Sequence, residues 1–283
     1  MAGSMKDIKL RIKSVESTMQ ITKAMELVAS SKMRRARDRV ERSRPYFEVL
    51  SHTLSDIAAS NTDFQSPFLK KRELKKTLLI VIAGDRGLAG GYNSNILKLA
   101  AEEKGEIVYL PIGKRSFEYY SHHDLDVFSD KYTIAADISV GDCFEISRQV
   151  ADAYLKGEFD AVKICYTRFI SMLTQTPATQ SILPLTLEKE PEEEKTAQSR
   201  ALILYEPNSE EVFNAIIPEY IAGIIYGALS ESIASEQAAR RTAMDAATKN
   251  ASEMIENLNL YYNRARQGAI TQEITEIVAG AEN

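Results

Sequence analysis

The chain has 283 residues, of which 44% are hydrophobic and 27% are charged, and its formal net charge is -5 at pH 7. This composition is typical of a folded globular protein, and the negative net charge argues against a general affinity of the whole chain for nucleic acid. No uninterrupted apolar run reaches the ~18 residues of a membrane-spanning helix, so a spanning segment is not expected.

Cysteine and histidine usage gives no sign of a metal or cofactor site. The two cysteines, Cys143 and Cys165, form no C-x-x-C pair, which favours a reduced, cytosolic-type compartment. The histidines, His52, His122 and His123, show no metal-ligand spacing. The N-terminus resembles neither a secretory signal nor a transit peptide. We therefore expect no metal and no cofactor.

The N-terminal region, residues 6–57, carries an apolar repeat with alternating spacings of four and three residues. The repeat positions are Ile8, Ile12, Val15, Met19, Thr22, Glu26, Ala29, Met33, Ala36, Val40, Ser43, Phe47, Leu50, Leu54 and Ile57. A sustained period of about 3.5 residues is typical of a helix that lies along a partner helix. Pro45 should kink this helix without ending it, because the repeat continues beyond the proline.

The middle of the chain changes to short apolar runs separated by turns. These runs predict buried strands at residues 77–83, 106–112 and 160–166 and a last strand at 201–205, while residues 127–132 are only weakly strand-like. Helices are predicted between the strands, and Ser139 or Asp142 is a plausible cap for the helix at 138–155. The alternation of strands and helices predicts a parallel sheet covered by helices. Residues 177–200 contain prolines and the acidic run EKEPEEEK, which predict a solvated surface segment.

The C-terminal region, residues 208–283, is predicted to form one helix of roughly seventy residues, about 100 Å long. No single globular core of this chain could enclose such a helix, so it needs a partner helix. Its apolar stripe runs through Ile255, Leu258, Tyr262, Ala265 and Ala269, and then shifts around the axis at Ile270, Ile274, Ile277 and Ala281. This end would extend past the N-terminal helix, so another protein should cover it.

These patterns predict an α/β protein with a long antiparallel coiled coil of the N- and C-terminal helices and an inserted Rossmann-like parallel-sheet α/β domain. The predicted N-terminal coiled-coil helix covers residues 1–60, and a linker covers 61–76. The α/β domain covers residues 77–207, and the C-terminal coiled-coil helix covers 208–283.

The glycine-rich turn at residues 84–93 (GDRGLAGGYN) lies between a predicted strand and a predicted helix. A turn of this kind can bind phosphate through its backbone amides. Its spacing is G-x-x-G-x-x-G-G, which matches neither G-x-G-x-x-G nor G-x-x-x-x-G-K-[ST]. A structural tight turn is the favoured interpretation, and a nucleotide site is the alternative.

The basic stretch, residues 32–44 (KMRRARDRVERSR), carries seven positive and two negative side chains. A basic-zipper DNA-binding segment has a similar density of positive charge. The apolar repeat runs through this stretch and Pro45 follows it, so DNA contact is the less favoured interpretation. An acidic protein partner would suit the stretch electrostatically.

Motifs for catalysis are missing from the sequence. It shows no Ser/His/Asp grouping, no H-E-x-x-H motif, no phosphate loop and no acid pair with a plausible cleft. Two long terminal helices without catalytic chemistry point to a mechanical or scaffolding protein.

Several segments resemble the γ subunits of F-type ATP synthases. They are residues 21–35 (ITKAMELVASSKMRR), 84–93, 230–250 (SESIASEQAARRTAMDAATKN) and 263–281 (NRARQGAITQEITEIVAGA). The resemblance covers the whole chain in order. Because the chain lacks both a chloroplast-type cysteine insert and a transit peptide, a bacterial member is favoured.

The resemblance implies a rotor shaft without a catalytic site of its own. In this family the coiled coil lies inside a hexamer of three α and three β subunits. The α/β domain stands on the membrane-embedded c-ring, with the ε subunit beside it and one copy of the shaft per complex. Proton flow turns the ring and the shaft, which drives ATP synthesis at the β subunits, and hydrolysis reverses the rotation. The implied location is peripheral, on the cytoplasmic side of the bacterial plasma membrane, with membrane contact only through the c-ring and no nucleic acid.

The resemblance also implies which residues make contact with partners. Those matched to the hexamer are Lys23, Met25, Arg34, Arg35, Arg266, Gln267, Thr271, Glu273, Ile274 and Ile277. The polar residues at 266–273 match contacts with catch loops of β, and the two isoleucines match an apolar sleeve. The residues at 23–35 match contacts with a moving acidic segment of β. Tyr205 and Glu206 match the foot that meets the c-ring and ε.

Two other functions stay open on the sequence alone. A Rossmann-like enzyme whose long helices serve only for dimerisation would bind nucleotide tightly as an isolated chain. A coiled-coil scaffold with no rotary role would leave the ATPase activity of an α/β complex independent of this chain.

Overall fold

The structure, a computed structural model, describes residues 5–60, 65–186 and 205–281. Its helices are α1 (Met5–Ser60), α2 (Tyr92–Ala101), α3 (Lys114–His122), α4 (Val140–Leu155) and α5 (Ser209–Ala281), with a 3-10 turn at Ala135–Asp137. Its strands are β1 (Lys76–Ile82), β2 (Glu106–Ile112), β3 (Ala161–Phe169) and β4 (Gln175–Leu183). The described residues divide into two compact units. The first contains residues 5–31 and 240–281, and the second contains those between 32 and 239.

The second unit is built on a sheet with the strand order β2-β1-β3-β4. β1 pairs in parallel with β2 and with β3, while β4 pairs antiparallel to β3 with Gln175 opposite Phe169. The predicted sheet is confirmed for its three parallel strands, and the complete sheet is mixed. The prediction that residues 177–200 form only a solvated surface segment is wrong for the part that lies in β4.

The core lies on both faces of this sheet, because β1 is buried on both sides. Leu78, Ile80 and Ile82 point to the face covered by α4 and α5. Leu79 and Val81 alternate with them and point to the face covered by α2 and α3. Full burial of an aliphatic side chain of this size contributes about 1.5–3 kcal/mol. The continuous apolar run of β1 therefore determines its central place in the sheet.

The two long helices pair antiparallel in each unit. In the first unit the Thr22 and Thr248 hydroxyls share a 2.7 Å hydrogen bond, and Glu26 lies 3.8 Å from Arg241. In the second unit the Phe47 ring packs directly against Gly223 of α5. All fifteen positions of the predicted repeat are buried or half-buried, which confirms the stripe.

The polar exceptions in the stripe have partners. Thr22 and Glu26 contact residues of α5, as described above, and the Ser43 hydroxyl donates to the carbonyl of Val40. Buried polar groups are tolerated when they form such contacts. The helix also continues through Pro45, as predicted.

Helix α4 begins at the predicted cap. The Ser139 amide and hydroxyl donate to the Asp142 carboxylate at 2.8 and 2.6 Å, and the Asp142 amide donates to the Ser139 hydroxyl. Hydrogen bonds from Ser139 lower the pKa of Asp142, because they favour the ionised carboxylate. The two candidate caps therefore act together as a capping box.

Other predicted elements differ from the structure or lie outside it. Residues 127–132 do not form a strand, since only Val127 bridges to Tyr109 of β2. The strand predicted at 201–205 falls mostly outside the described residues. By length and composition α5 contains a window apolar enough to cross a membrane, and 44% of that window is buried in the structure.

Candidate functional site

The C-terminal part of α5 changes from a half-buried to an exposed helix within the first unit. The predicted stripe residues Ile255 to Ala269 are half-buried where they occur, and residues 270–280 are all exposed. Ile274 is 57% exposed and Ile277 is 71% exposed. An amphipathic helix normally buries such side chains, so this end of α5 has an apolar surface that the rest of the chain leaves exposed.

The polar residues predicted to contact catch loops lie at the same end of α5. Arg266, Gln267, Thr271 and Glu273 are all exposed. The Thr271 hydroxyl donates to the Gln267 carbonyl at 2.9 Å, within the helix. The guanidinium, amide and carboxylate groups of the other three side chains therefore face outward, where they can form hydrogen bonds and ion pairs with another protein.

The predicted contacts on α1 form a separate level of the first unit. Lys23 is exposed and Met25 is half-buried. The Thr22–Thr248 hydrogen bond places this part of α1 at the level of residue 248 of α5. This level is about 27 Å along α5 from Arg266. The structure therefore does not bring these two groups of predicted residues together.

The remaining predicted residues lie in the second unit. Arg34 and Arg35 are exposed on α1 in the basic stretch, residues 32–44. Tyr205 is half-buried against the hydrophobic core, and Glu206 is exposed just before α5 begins.

The carboxyl edge of the parallel strands is where open α/β sheets usually bind a ligand. Here side chains of α5 occupy it. The Ser232 hydroxyl accepts from the Thr167 amide at 3.1 Å, and the Ser235 hydroxyl donates to the Thr167 carbonyl at 3.1 Å. The Tyr92 hydroxyl donates to the Ser232 carbonyl at 3.0 Å, and burial raises the pKa of this phenol. These contacts fasten α5 to β3 and to the start of α2.

Two carboxylates also lie at this edge. Asp85 accepts hydrogen bonds from the amides of Lys114, Ala135 and Ala136. Glu236 is 5% exposed, and its carboxyl carbon would lie 2.8 Å from a Cβ built on Gly84. The Glu236 carboxyl group thus occupies the space beside Gly84. The geometry therefore supports a structural role for the glycine-rich turn.

This edge was missed by sequence reasoning, although a signal was present. In the stretch of α5 from 228 to 240, serine and glutamate residues lie among alanines, and Ser230, Ser232, Ser235 and Glu236 are buried. A helix that is buried on all faces and carries polar residues needs hydrogen-bond partners on each face. The polar residues between the alanines could therefore have been predicted to meet backbone groups of another element.

The fold combines two long antiparallel helices with a small mixed sheet, and side chains of α5 occupy the carboxyl edge of that sheet. One end of α5 is exposed. These features are typical of a protein that acts through contacts with other proteins. A family model described as ATP synthase matches residues 4–283. The ATP synthase gamma chain of Ruminococcus albus is 49% identical over 288 residues, and the match covers 99% of each chain. The chain belongs to the family of ATP synthase gamma chains.

Two further comparisons agree with this assignment. A relative from Acetobacterium woodii, named ATP synthase gamma chain, sodium ion specific, is 43% identical and covers 100% of this chain and 99% of its own. A chain from a Euglena gracilis mitochondrial ATP synthase structure of OSCP, F1 and c-ring matches with a TM-score of 0.66 and 21% identity. That match covers 98% of this chain and 93% of the other, and it confirms the fold.

The family and the function predicted from the resemblance are thereby confirmed. The chain is the central shaft component of an ATP synthase, a membrane-associated complex.

Proposed function

We propose that this chain rotates inside an α3β3 hexamer and stands on the c-ring with the ε subunit beside it, as one copy per complex. The observation that carries the proposal is the exposed end of α5. Residues 270–280 are exposed, although Ile270, Ile274 and Ile277 are apolar. A surrounding sleeve of protein would cover these side chains. Apolar packing is non-directional, so the helix could turn within such a sleeve.

Coupling would arise because the shaft presents different groups to each β subunit as it turns. Arg266, Gln267, Thr271 and Glu273 supply hydrogen bonds and charge at one level, and Lys23 and Met25 supply contacts at a second level. Arg34 and Arg35 would face acidic groups further along α1. Contacts that differ between β subunits shift their conformational equilibria, and the coupling acts in both directions. ATP hydrolysis would therefore turn the shaft backwards.

In this proposal the chain contributes no catalytic site and binds no cofactor. The filled carboxyl edge of the sheet supports this view, since Asp85 is held by backbone amides and Glu236 fills the space beside Gly84. In the described part of the chain, no group of three or more His, Cys, Asp or Glu residues could hold a metal ion. Tyr205 and Glu206 would form the foot on the c-ring and ε, so the chain would be peripheral on the cytoplasmic side of the bacterial plasma membrane.

The predicted domain division also belongs to the proposal. Residues 1–60 and 208–283 would form the shaft, 61–76 a linker and 77–207 the domain that meets the ring. The boundaries of the two compact units differ from those of the predicted domains, because parts of α1 and α5 pack with the sheet. Those packed parts would pass torque from the domain to the shaft.

The coupling ion is proposed to be the proton. One relative is named as sodium ion specific, so the ion needs its own measurement. ATP synthesis by the reconstituted enzyme should proceed under a proton gradient with sodium omitted. Synthesis that requires added sodium would show that the proton assignment is wrong and would leave the shaft role intact.

The catch contacts are tested by replacing Arg266 and Gln267 together with alanine. ATP synthesis driven by an ion gradient should fall several-fold, because the shaft loses two polar contacts that differ between β subunits. The matched control replaces Glu102 and Lys104, two other exposed residues, with alanine. Subunit composition of the purified complex verifies assembly. An unchanged synthesis rate in the first variant would contradict the assignment.

A further inference from the structure

The end of β3 extends beyond the strand that pairs with it in parallel. The last residues of β1 and β3 that pair with each other are Val81 and Cys165, whereas β3 continues to Phe169. Thr167, in this extension, is only 2% exposed. Buried backbone groups that lose the neighbouring strand need other hydrogen-bond partners.

Side chains of α5 supply those partners. The Ser232 hydroxyl accepts from the Thr167 amide, and the Ser235 hydroxyl donates to the Thr167 carbonyl. The Phe169 amide donates to the Glu231 carboxylate at 3.4 Å, so the contact continues two residues further along β3. Both serines are almost completely buried, so water does not compete for their bonds. At the end of β3, α5 thus takes the place of a neighbouring strand.

The part of α5 before these serines packs on the sheet through apolar side chains. Its contributions to the core on this face include Ile217, Ile221, Ile225 and Leu229. Apolar packing is non-directional, so it offers little resistance to a helix that slides or twists on the sheet. Hydrogen bonds require a fixed distance and angle. The serine bonds therefore fix the position of α5 relative to β3.

A second polar contact holds α5 near its start. The Ser66 hydroxyl donates to the side-chain oxygen of Asn214 at 2.7 Å. The segment around Ser66 is itself tied to the end of β4, because the Leu185 amide donates to the Phe68 carbonyl at 2.8 Å. Asn214 lies about 27 Å along α5 from Ser232. The sheet is thus attached by polar contacts at both ends of this helical segment.

We propose that Ser232 and Ser235 are positioning residues for rotary coupling, because their bonds to Thr167 form a joint that makes the sheet and this segment of α5 turn together. The proposal rests on the proposed function, in which torque enters at the foot, Tyr205 and Glu206, and leaves through the shaft. With the joint intact, the helix and the sheet share the torque over residues 214–235. Without it the helix would carry the torque alone, and the rotor would twist further under the same load.

The joint is tested by measuring the torsional stiffness of the rotor in the assembled complex. The hexamer is fixed to a surface, and a bead is attached at Lys156→Cys, an exposed position at the end of α4. While the complex waits for ATP, the angular variance of the bead reports how far the chain twists between the hexamer and the bead. Ser232→Ala combined with Ser235→Ala should raise this variance about two-fold, because one of two parallel supports is lost. ATP hydrolysis should continue at the wild-type rate, since serines buried within the chain cannot touch the hexamer.

The matched control is Ser121→Ala combined with Ser181→Ala, at two exposed serines of the same unit, and its variance should equal that of the wild type. Ser235→Ala alone keeps the bond between Ser232 and the Thr167 amide, so it should give an intermediate variance. This single variant decides the question where the double variant does not assemble.

A wild-type variance in either assembled joint variant would overturn the proposal. A merely structural role of the serines would lower the yield of assembled complex and leave the variance of the assembled molecules unchanged. A bead on the wild-type complex that never rotates with ATP would instead contradict the proposed function.

Discussion

Gly113 shows how one residue determines the packing at the carboxyl edge of the sheet. It has a φ of 94°, and a Cβ at this position would lie 2.1 Å from the carbonyl oxygen of Ala83. Gly157 also has a positive φ, of 79°, but a Cβ there would meet open space. A comparison of alanine substitutions at the two positions therefore distinguishes the free-energy cost of a backbone clash from the cost of a positive φ angle.

Replacement of Gly113 by alanine should lower the free energy of unfolding by more than about 2 kcal/mol, because the backbone of β1 must move. Replacement of Gly157 by alanine should cost only about 1–2 kcal/mol, the usual penalty for a left-handed L residue. Denaturant unfolding of the two variants measures both values. Equal losses would contradict the close approach of Gly113 to Ala83.

Asp160 supplies a pH-dependent contact at the start of β1. Its carboxylate accepts hydrogen bonds from the amides of Lys76 and Lys75 at 2.9 and 3.1 Å. These bonds lower the pKa of Asp160 from its usual value of 3.8. A lowered pKa means that the stabilisation is present above pH 3.8 and is lost as the pH falls through the lower, folded-state value.

Asp160→Asn should therefore reduce stability by about 1 kcal/mol at neutral pH, and the difference from the wild type should shrink in acid. Denaturant unfolding between neutral and acidic pH follows this difference. Asp152→Asn, at an exposed position of α4, is the matched control and should change stability little. A loss that stays constant with pH would show that the ionised carboxylate is not the stabilising group.

At the scale of elements, α1 and α5 approach closely at one glycine. A Cβ on Gly223 would lie 2.0 Å from the Phe47 ring, whereas a Cβ on Gly227 would meet nothing within 4 Å. Both glycines lie inside α5, where alanine is favoured by about 1 kcal/mol. Replacement by alanine should therefore lower the stability of the chain at Gly223 and raise it at Gly227, one helical turn further on.

Gly223→Ala should destabilise the chain by about 1–3 kcal/mol, because it forces the Phe47 ring out of its position. Gly227→Ala should stabilise it by up to about 1 kcal/mol. Thermal unfolding of the two variants shows whether each substitution raises or lowers the stability of the chain. A stabilising Gly223→Ala would mean that the helices do not approach as closely as described.

The elements that could be predicted from the sequence are those with a strong periodic signal. The α1 repeat, the bounds of β2 and the Ser139 cap of α4 each follow from local patterns that tertiary contacts reinforce. β4 could not be predicted, because its sequence QTPATQSIL contains few apolar residues and Pro177. An edge strand pairs on one side only, so it can hold a proline and half-exposed polar residues.

At the scale of the whole molecule, the sequence identified the exposed end of α5 and its pairing partner but not how α5 is fastened to the sheet. The predicted stripe shifts around the helix axis after Ala269, and in the structure Ile270, Ile274 and Ile277 beyond that point are exposed. The contacts of Ser232 and Ser235 with Thr167 depend on residues far apart in the chain, and no local pattern encodes them. The turn between β3 and β4 could likewise not be predicted, because it requires the antiparallel pairing of these two strands.

Observing the rotation of this chain directly is the most decisive measurement. The chain would carry a bead at Lys156→Cys, an exposed position in a protein whose two native cysteines are buried, and the hexamer would be fixed to a surface. The rotor account predicts that added ATP drives stepwise rotation in one direction, which stops when the ATP is removed. A hexamer that hydrolyses ATP at the full rate while this chain stays fixed would contradict it.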